Sequence, residues 1–304
     1  MKVSVCIPVY NGAKTIKKLV DEIFRELMPH YDVEVILVND CSLDNCDEIC
    51  KELARYYNEV KYISLRKNYG EHNAVMCALN YSTGDYAAII DDDFQNPPCE
   101  IIKLVEEARR GVDVVYSKYH KKEHHYFRNI GSRFNDKISN WLLDKPKGLY
   151  LSSFKVIDKC IVKEIIKYKG PSPYIDGLIL RSTNGISSVY VSHDKRQEGK
   201  SNYTLKKLVS LWLSMFINFS IKPLRIFSVF GIIATVFGFF ASVIFVIQKI
   251  LNPELNLGWT SVMVSILFFS GVQIVFLGLI GEYVGKHYLQ SNGSPQWTIK
   301  EEYI

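Results

Sequence analysis

Three consecutive carboxylates, Asp91-Asp92-Asp93, with Gln95 just beyond them, are the sharpest chemical feature of the chain. Adjacent carboxylates repel one another unless a cation neutralises them. They close a β-rich run, Tyr86–Asp91, and residues two apart on an extended chain face the same way. Asp91 and Asp93 are therefore expected to point into one site while Asp92 points away. Their hard oxygens suit Mg²⁺ or Mn²⁺, usually shared with substrate phosphates. Gln95 is a further ligand or a group that orients a phosphate. By spacing alone, so short an acidic pattern is equally well read as a solvated loop cap.

The other reactive side chains point elsewhere. Cys6, Cys41, Cys46, Cys50, Cys77, Cys99 and Cys160 are odd in number and form no CxxC pair, so they read as reduced structural thiols. The run Tyr119-His120-Lys121-Lys122-Glu123-His124-His125 resembles a metal site only in composition. Its spacing matches no common metal motif and its lysine pair repels a cation, so it reads as a basic loop near anionic headgroups. His193 reads as structural. No GxGxxG fingerprint or P-loop occurs, which argues against a nicotinamide dehydrogenase and a P-loop ATPase.

The elements that must position the carboxylates alternate regularly. Strands are expected at Val3–Val9, Val33–Asn39, Val60–Leu65, Tyr86–Asp91 and Val112–Ser117. Helices are expected between them, at about Ala13–Met28, Asp44–Tyr57, Glu71–Tyr81 and Glu100–Arg110. Such alternation predicts an α/β fold with a mainly parallel, Rossmann-like sheet covered by helices. Ligands of these sheets bind beyond the carboxyl ends of the strands. There lie Pro8-Val9-Tyr10-Asn11, Asn39-Asp40-Cys41-Ser42 and the aspartate triplet.

The charge pattern divides the chain. Among 304 residues with a net charge of +5, the last 101 carry only seven Lys+Arg and four Asp+Glu. A charge so small and so spread does not argue for nucleic acid. From Ile226 to Ile247 there are 22 uncharged residues, and from Leu255 to Gly281 another 27. Each is long enough to cross a hydrocarbon core of ~30 Å. With only Asn252-Pro253-Glu254 between them, they read as a transmembrane hairpin. Lys206, Lys207, Lys222, Arg225, Lys286 and Lys300 flank it, so the positive-inside rule places both termini in the cytoplasm. Leu208, Leu211, Trp212, Met215, Phe216 and Phe219 recur at helical spacing after a basic start, as in a helix lying in the membrane interface. The amino terminus has no signal-peptide pattern, so the polar part is expected to stay cytoplasmic.

With these residues laid out, the chain resembles family 2 glycosyltransferases of the GT-A fold. More narrowly it is similar to the membrane enzymes that glycosylate polyprenyl phosphate, such as dolichyl-phosphate mannose synthases and bacterial undecaprenyl-phosphate glucosyl and aminoarabinosyl transferases. The resemblance covers nearly the whole chain. It rests on the runs Ile7–Asn11, Val38–Asp44, Arg66–Ala74, Asp91–Pro98, Phe127–Asn135, Arg196–Tyr203 and Gly281–Lys286. It implies that Pro8, Tyr10, Asn11, Asp40, Asn68 and His72 line the nucleotide-sugar pocket with Asp91 and Asp92. It implies that Asp91, Asp93 and Gln95 hold the metal on the donor diphosphate. Arg128, Ser132 and Arg133 would receive the lipid phosphate, and Arg196 and Ser201 would close over the donor.

The chemistry fits those roles. A departing nucleoside diphosphate develops charge that a metal and cationic side chains stabilise. The planar fork of Arg suits phosphate oxygens. Arg128 and Ser132, four apart, share a helix face. Arg133 sits roughly 140° around from Arg128, so all three converge only where a helix is irregular or wraps the phosphate.

The chain also departs from its resemblance. Many relatives read Asp-Asp-Gly-Ser where this chain has Asn39-Asp40-Cys41-Ser42. Some carry an acidic candidate base where it has Ser152-Ser153-Phe154-Lys155. A protein base is not required, because a phosphate monoester has its second pKa near ~6 and is mostly dianionic at neutral pH.

The sequence thus predicts a GT-A domain over residues 1–203, an amphipathic juxtamembrane helix over 204–222, and a two-helix anchor over 223–304. The spans are expected at about 226–248 and 258–281, with a cytoplasmic tail. The expected activity is inverting transfer of one sugar, from a donor such as a UDP-sugar to undecaprenyl phosphate, at the cytoplasmic face of the inner membrane. Donor, lipid acceptor and membrane lipids are the expected partners, and a homo-oligomer is compatible with this reading. Rival readings are a glycan-elongating membrane glycosyltransferase and a catalytically silent, membrane-tethered nucleotide-sugar-binding protein.

Overall fold

The computed structural model describes residues 1–119, 149–192, 222–252 and 258–304. Arg128, Ser132, Arg133, Arg196, Ser201, His193, the His120–His125 run, the 205–221 segment and the Pro253-Glu254 turn lie outside the described residues. The rest falls into two units, one drawn from Met1–Asn202 and Gly293–Ile304, the other from Tyr203–Asn292.

In the first unit the described residues form eight strands, of which the first three are largely apolar and buried along almost their whole length, while the last two are half-buried. The strands are β1 (Lys2–Val9), β2 (Asp32–Asn39), β3 (Val60–Leu65), β4 (Tyr86–Ile89), β5 (Val114–Tyr119), β6 (Lys155–Asp158), β7 (Ile186–Val191) and β8 (Ile299–Tyr303). The helices between them are α1 (Ile16–Leu27), α2 (Cys46–Tyr56), α3 (Glu71–Tyr81), α4 (Glu100–Ala108), α5 (Lys159–Ile165) and α6 (Ile175–Ser182). Alternation along each strand divides its side chains between two cores. Val3, Val5, Ile7, Val33, Val35 and Leu37 pack in the core that holds α1, α2 and α4 residues. Cys6, Ile36, Val38 and Ile63 pack on the other side with residues of α3, α5 and α6.

The sheet order is β7-β5-β6-β4-β1-β2-β3-β8. The central four strands are parallel, with Val3 opposite both Val33 and Tyr86. β6 is antiparallel to both its neighbours, β4 and β5, and β8 is antiparallel to β3. The sheet is therefore mixed around a parallel centre. The run read from sequence as Val112–Ser117 does not sit beside β4. The four-residue β6, too short to stand out as a pattern, takes that place. The tail after the second long helix is also more than a tail. It pairs with β3, and Glu301 binds Lys51 Nζ at 2.6 Å while Tyr81 Oη donates to Glu302 at 2.6 Å.

Polar groups at the amino ends of the strands are structural. Burial alone would raise the pKa of Glu34, but hydrogen bonds from Ser4, the Thr83 N–H, Lys2 and the Thr83 hydroxyl outweigh it and hold it down at about 2.

The second unit holds α7 (Lys222–Leu251, 30 residues) and α8 (Trp259–Ser291, 33 residues). At ~1.5 Å per residue each exceeds the ~30 Å hydrocarbon thickness. Large apolar side chains stand exposed along both, among them Ile232, Phe237, Phe268 and Ile274. Among the described residues, one stretch, Phe268–Ser291, is long and apolar enough to cross a membrane, and Ser228–Phe240 is a shorter apolar stretch.

Candidate active site at the carboxyl ends of the central strands

Among the described residues, the three non-glycine residues with positive φ all follow central strands: Asn11 (59°) after β1, Cys41 (58°) after β2 and Phe94 (58°) after β4. Such conformations cost an L-residue roughly 1–3 kcal/mol and persist where the surroundings impose them. Here the loops are stitched together. The Asn11 N–H donates to Ser42 Oγ at 3.0 Å, and Asn11 Oδ1 accepts the Leu43 N–H at 2.8 Å. The Ala13 N–H reaches Asp44 Oδ2 at 3.0 Å, and the Tyr10 N–H reaches Asp92 Oδ2 at 3.2 Å. Gly12 is needed for this last approach, because a Cβ there would run into the Asp92 carboxylate.

The strain at Cys41 is testable. Its Sγ makes a long hydrogen bond to a backbone oxygen, Arg66 O, at 3.9 Å. Cys41→Gly removes the left-handed penalty and adds a smaller unfolded-state cost, a net gain of about 0.5–1 kcal/mol. Thermal melting should therefore rise by about 1–4 °C. A lower melting temperature would show that the loop is unstrained.

Asp40 is buried and clamps a neighbouring loop: its two oxygens accept the N–H groups of Tyr69 at 2.7 Å and Gly70 at 2.8 Å. That contact fixes the start of α3, and with it Asn68 and His72. Asn39 uses both ends of its amide. Its Oδ1 accepts the Ser42 N–H at 3.0 Å and the Ser42 hydroxyl at 2.7 Å, and its Nδ2 donates to Tyr62 Oη at 3.1 Å and Asp47 Oδ1 at 3.3 Å. Burial opposes ionisation of Asp47, but Tyr62, Lys51 and Ser64 more than offset it and hold its pKa at about 2. An aspartate at position 39 would lose the donor and face that charge. This accounts for Asn39 where the sequence resemblance leads one to expect an acid.

The acidic triplet sits in a turn. β4 ends at Ile89, two residues sooner than the sequence pattern suggests, so strand alternation does not govern Asp91–Asp93. Instead Asp91 and Asp92 divide between the strands that flank β4. Ser153 Oγ donates to Asp91 Oδ2 at 2.6 Å from the β6 side, while Asp92 takes Tyr10 on the β1 side. Asp93 Oδ1 accepts the Gln95 N–H at 3.1 Å, so the described contact of Gln95 here is through its backbone. Among the described residues no three His, Cys, Asp or Glu side chains are gathered into a metal cage. Mg²⁺ and Mn²⁺ need no such cage, because they bind through one or two carboxylates and complete their shell with phosphate oxygens and water.

Of the residues around Glu71 on α3, β6 and α6, the sequence reading placed only His72 in the site. Glu71 is open to solvent but lies in a recess crowded by protein. That desolvation first, and the Asp91 carboxylate second, raise its pKa to about 7. His72 lies edge-on to Tyr174, with ring centroids 5.1 Å apart, and burial lowers its pKa. Behind them Lys155 pairs with Asp176, which also accepts the Tyr116 hydroxyl at 2.9 Å. Ser153, Lys155 and Asp176 were not singled out as site residues. Phe154-Lys155-Val156 and Ile175-Asp176-Gly177-Leu178 carried the signal, since a charge inside a buried run needs a partner.

Pro8, Tyr10, Asn11, Asp40, Asn68, His72, Asp91, Asp92, Asp93 and Gln95 thus fall on one rim, at the carboxyl ends of β1 to β4. This fold and its acidic turn define a GT-A-type glycosyltransferase domain. The chain belongs to glycosyl transferase family 2, whose profile matches residues 4–164. A second profile, the GtrB C-terminal hairpin, matches residues 222–286. The chain is 32% identical over 304 residues to the undecaprenyl-phosphate 4-deoxy-4-formamido-L-arabinose transferase of Enterobacter sp. (strain 638), covering 98% of this chain and 93% of the relative. It is 28% identical over 304 residues to the uncharacterised glycosyltransferase YkcC of Bacillus subtilis (strain 168), covering 99% and 94%. Among solved structures, glucosyl-3-phosphoglycerate synthase from Mycobacterium tuberculosis, in complex with Mn²⁺, uridine diphosphate and phosphoglyceric acid, matches with a TM-score of 0.54 at 18% identity. That match covers 71% of this chain and 76% of the synthase, and it shows the fold.

Proposed function

We propose that this glycosyltransferase transfers one sugar from a UDP-sugar to undecaprenyl phosphate, with inversion, at the cytoplasmic face of the inner membrane. The product would be a polyprenyl-phosphate sugar for cell-envelope glycan or lipopolysaccharide modification. The observation that carries this reading is the similarity, over nearly the whole chain, to transferases named for undecaprenyl phosphate. The braced acidic turn supports it, as do the Mn²⁺ and uridine diphosphate held by the structural neighbour.

The residues take the following parts. Tyr10, Asn11 and Pro8 line the base and ribose side, with Asp40 holding Asn68 and His72 in place. Asp91 and Asp93, with Gln95 beside them, hold the divalent metal. When bound, that metal supplies charge stabilisation for the departing diphosphate. Arg128, Ser132 and Arg133 receive the lipid phosphate, and Arg196 and Ser201 cover the donor. The acceptor phosphate is dianionic at neutral pH and serves as its own nucleophile, so no protein base is needed. The helices α7 and α8 span the membrane at about 226–248 and 258–281, with the GT-A domain and both termini on the cytoplasmic side. Holding the enzyme where the lipid phosphate lies confines the search to a plane and restricts the approach geometry.

Membranes containing the full chain, given undecaprenyl phosphate, Mg²⁺ or Mn²⁺ and a panel of nucleotide sugars, should yield one glycosylated lipid of defined mass by mass spectrometry. If no nucleotide sugar is consumed, a silent binding protein replaces this reading. If the sugar instead appears on a growing glycan, a chain-elongating enzyme does.

A further inference from the structure

The first of the three aspartates is held by the strand next to its own. β4 and β6 pair antiparallel, with Tyr86 opposite Asp158 and Ile89 opposite Lys155. Two steps further along each chain, that register places Asp91 opposite Ser153. The ladder ends at Ile89, and in its place the Ser153 hydroxyl donates to Asp91 Oδ2 at 2.6 Å. A charge-assisted O–H···O bond of that length lies at the strong end of the range.

The backbone that delivers this hydroxyl is itself locked on both sides. Ser152, one residue before, is buried. Its Oγ accepts the Ser117 hydroxyl at 2.7 Å and the Phe154 N–H at 3.2 Å. Tyr119 Oη lies 3.0 Å from the same oxygen and 2.7 Å from Asn96 Oδ1. Lys155, two residues after, is buried, paired with Asp176, and lies 5.0 Å from the centre of the Tyr116 ring. Ser153 thus sits between two fixed points, with little freedom to move away from Asp91. Side chains that hold a ligating carboxylate in one orientation typically change metal affinity by roughly 10–100-fold when removed.

From this geometry we infer that Ser153 is a positioning residue for the metal site, holding the Asp91 carboxylate in the orientation that it presents to the divalent cation. The inference rests on the proposed role of Asp91 as a metal ligand.

The test measures Mn²⁺ binding by electron paramagnetic resonance on the full chain in detergent with uridine diphosphate. Four proteins are compared: wild type, Ser153→Ala, Ser153→Thr and Asp91→Asn. Ser153→Ala is expected to weaken Mn²⁺ binding by roughly 10-fold. Ser153→Thr keeps the hydroxyl and is expected to stay within about 3-fold of wild type. Melting without metal should be the same for both serine variants. Wild-type Mn²⁺ affinity in Ser153→Ala, together with lost affinity in Asp91→Asn, overturns this inference alone. Equal loss in the Ala and Thr variants also overturns it, because the effect would then be packing. Wild-type affinity in Asp91→Asn overturns the metal assignment and the inference with it.

Discussion

Asp93→Ala is expected to cut sugar transfer by roughly 10³-fold, about 4 kcal/mol of transition-state stabilisation, while the protein remains folded. Of the three aspartates it gives the cleanest test. Asp92 accepts the Tyr10 N–H and sits against Gly12, so its loss would also loosen the β1 loop. Asp91 is bound to Ser153 across the sheet. Asp93 accepts a local hydrogen bond, from the Gln95 N–H two residues on. Removing it costs about 1 kcal/mol, and removing one of three crowded like charges offsets that cost. Melting should therefore move by no more than about 4 °C. The readouts are labelled sugar in the lipid fraction, Mn²⁺ affinity with uridine diphosphate, and melting temperature. Wild-type transfer and Mn²⁺ affinity together would remove Asp93 from the metal site. Loss of transfer with a collapsed melting temperature would instead give the residue a structural role.

Much of this arrangement was legible because it is local. The runs Val3–Val9, Val33–Asn39 and Val60–Leu65 are apolar and bounded by polar residues, so period and punctuation locate the parallel centre of the sheet. Glu71–Tyr81 was read with the boundaries the structure shows. The same locality explains what was missed. β6 has four residues, and its place between β4 and β5 depends on pairing with strands far away in sequence. β8 looks like a polar tail until β3 supplies its partner, more than 230 residues back, through Arg66 and Ile299. In the site, residue types were readable and orientations were not. Asp91–Asp93 could be singled out by charge, but the assumption that β4 continued through them failed once the strand ended at Ile89. Ser153 carries no signal as a serine. Its meaning comes from the antiparallel register that sets it opposite Asp91.

The second large effect lies behind the site, in the pair Lys155 and Asp176. Their side chains are only 4% and 10% exposed, and Asp176 also takes the Tyr116 hydroxyl. Taking two charges out of water is costly, and the pair offsets that cost only while both members are present. Asp176→Ala is therefore expected to destabilise the domain by about 3–5 kcal/mol, because it strands a buried ammonium on β6. In a domain of this size the melting temperature falls by roughly 6–20 °C. The double variant Lys155→Met, Asp176→Leu removes both charges and fills the space, so it should recover most of the loss. Chemical unfolding of the full chain in detergent measures both. Near-wild-type stability in Asp176→Ala would show that water reaches Lys155 and that the pair contributes little. The same comparison separates stability from positioning. Lys155 lies two residues from Ser153, so if the ion pair also fixes the β6 backbone, the double variant should regain its stability and still bind Mn²⁺ more weakly than wild type. Recovery of both would mean that the strand register alone sets the serine, and that the buried charges serve only one another.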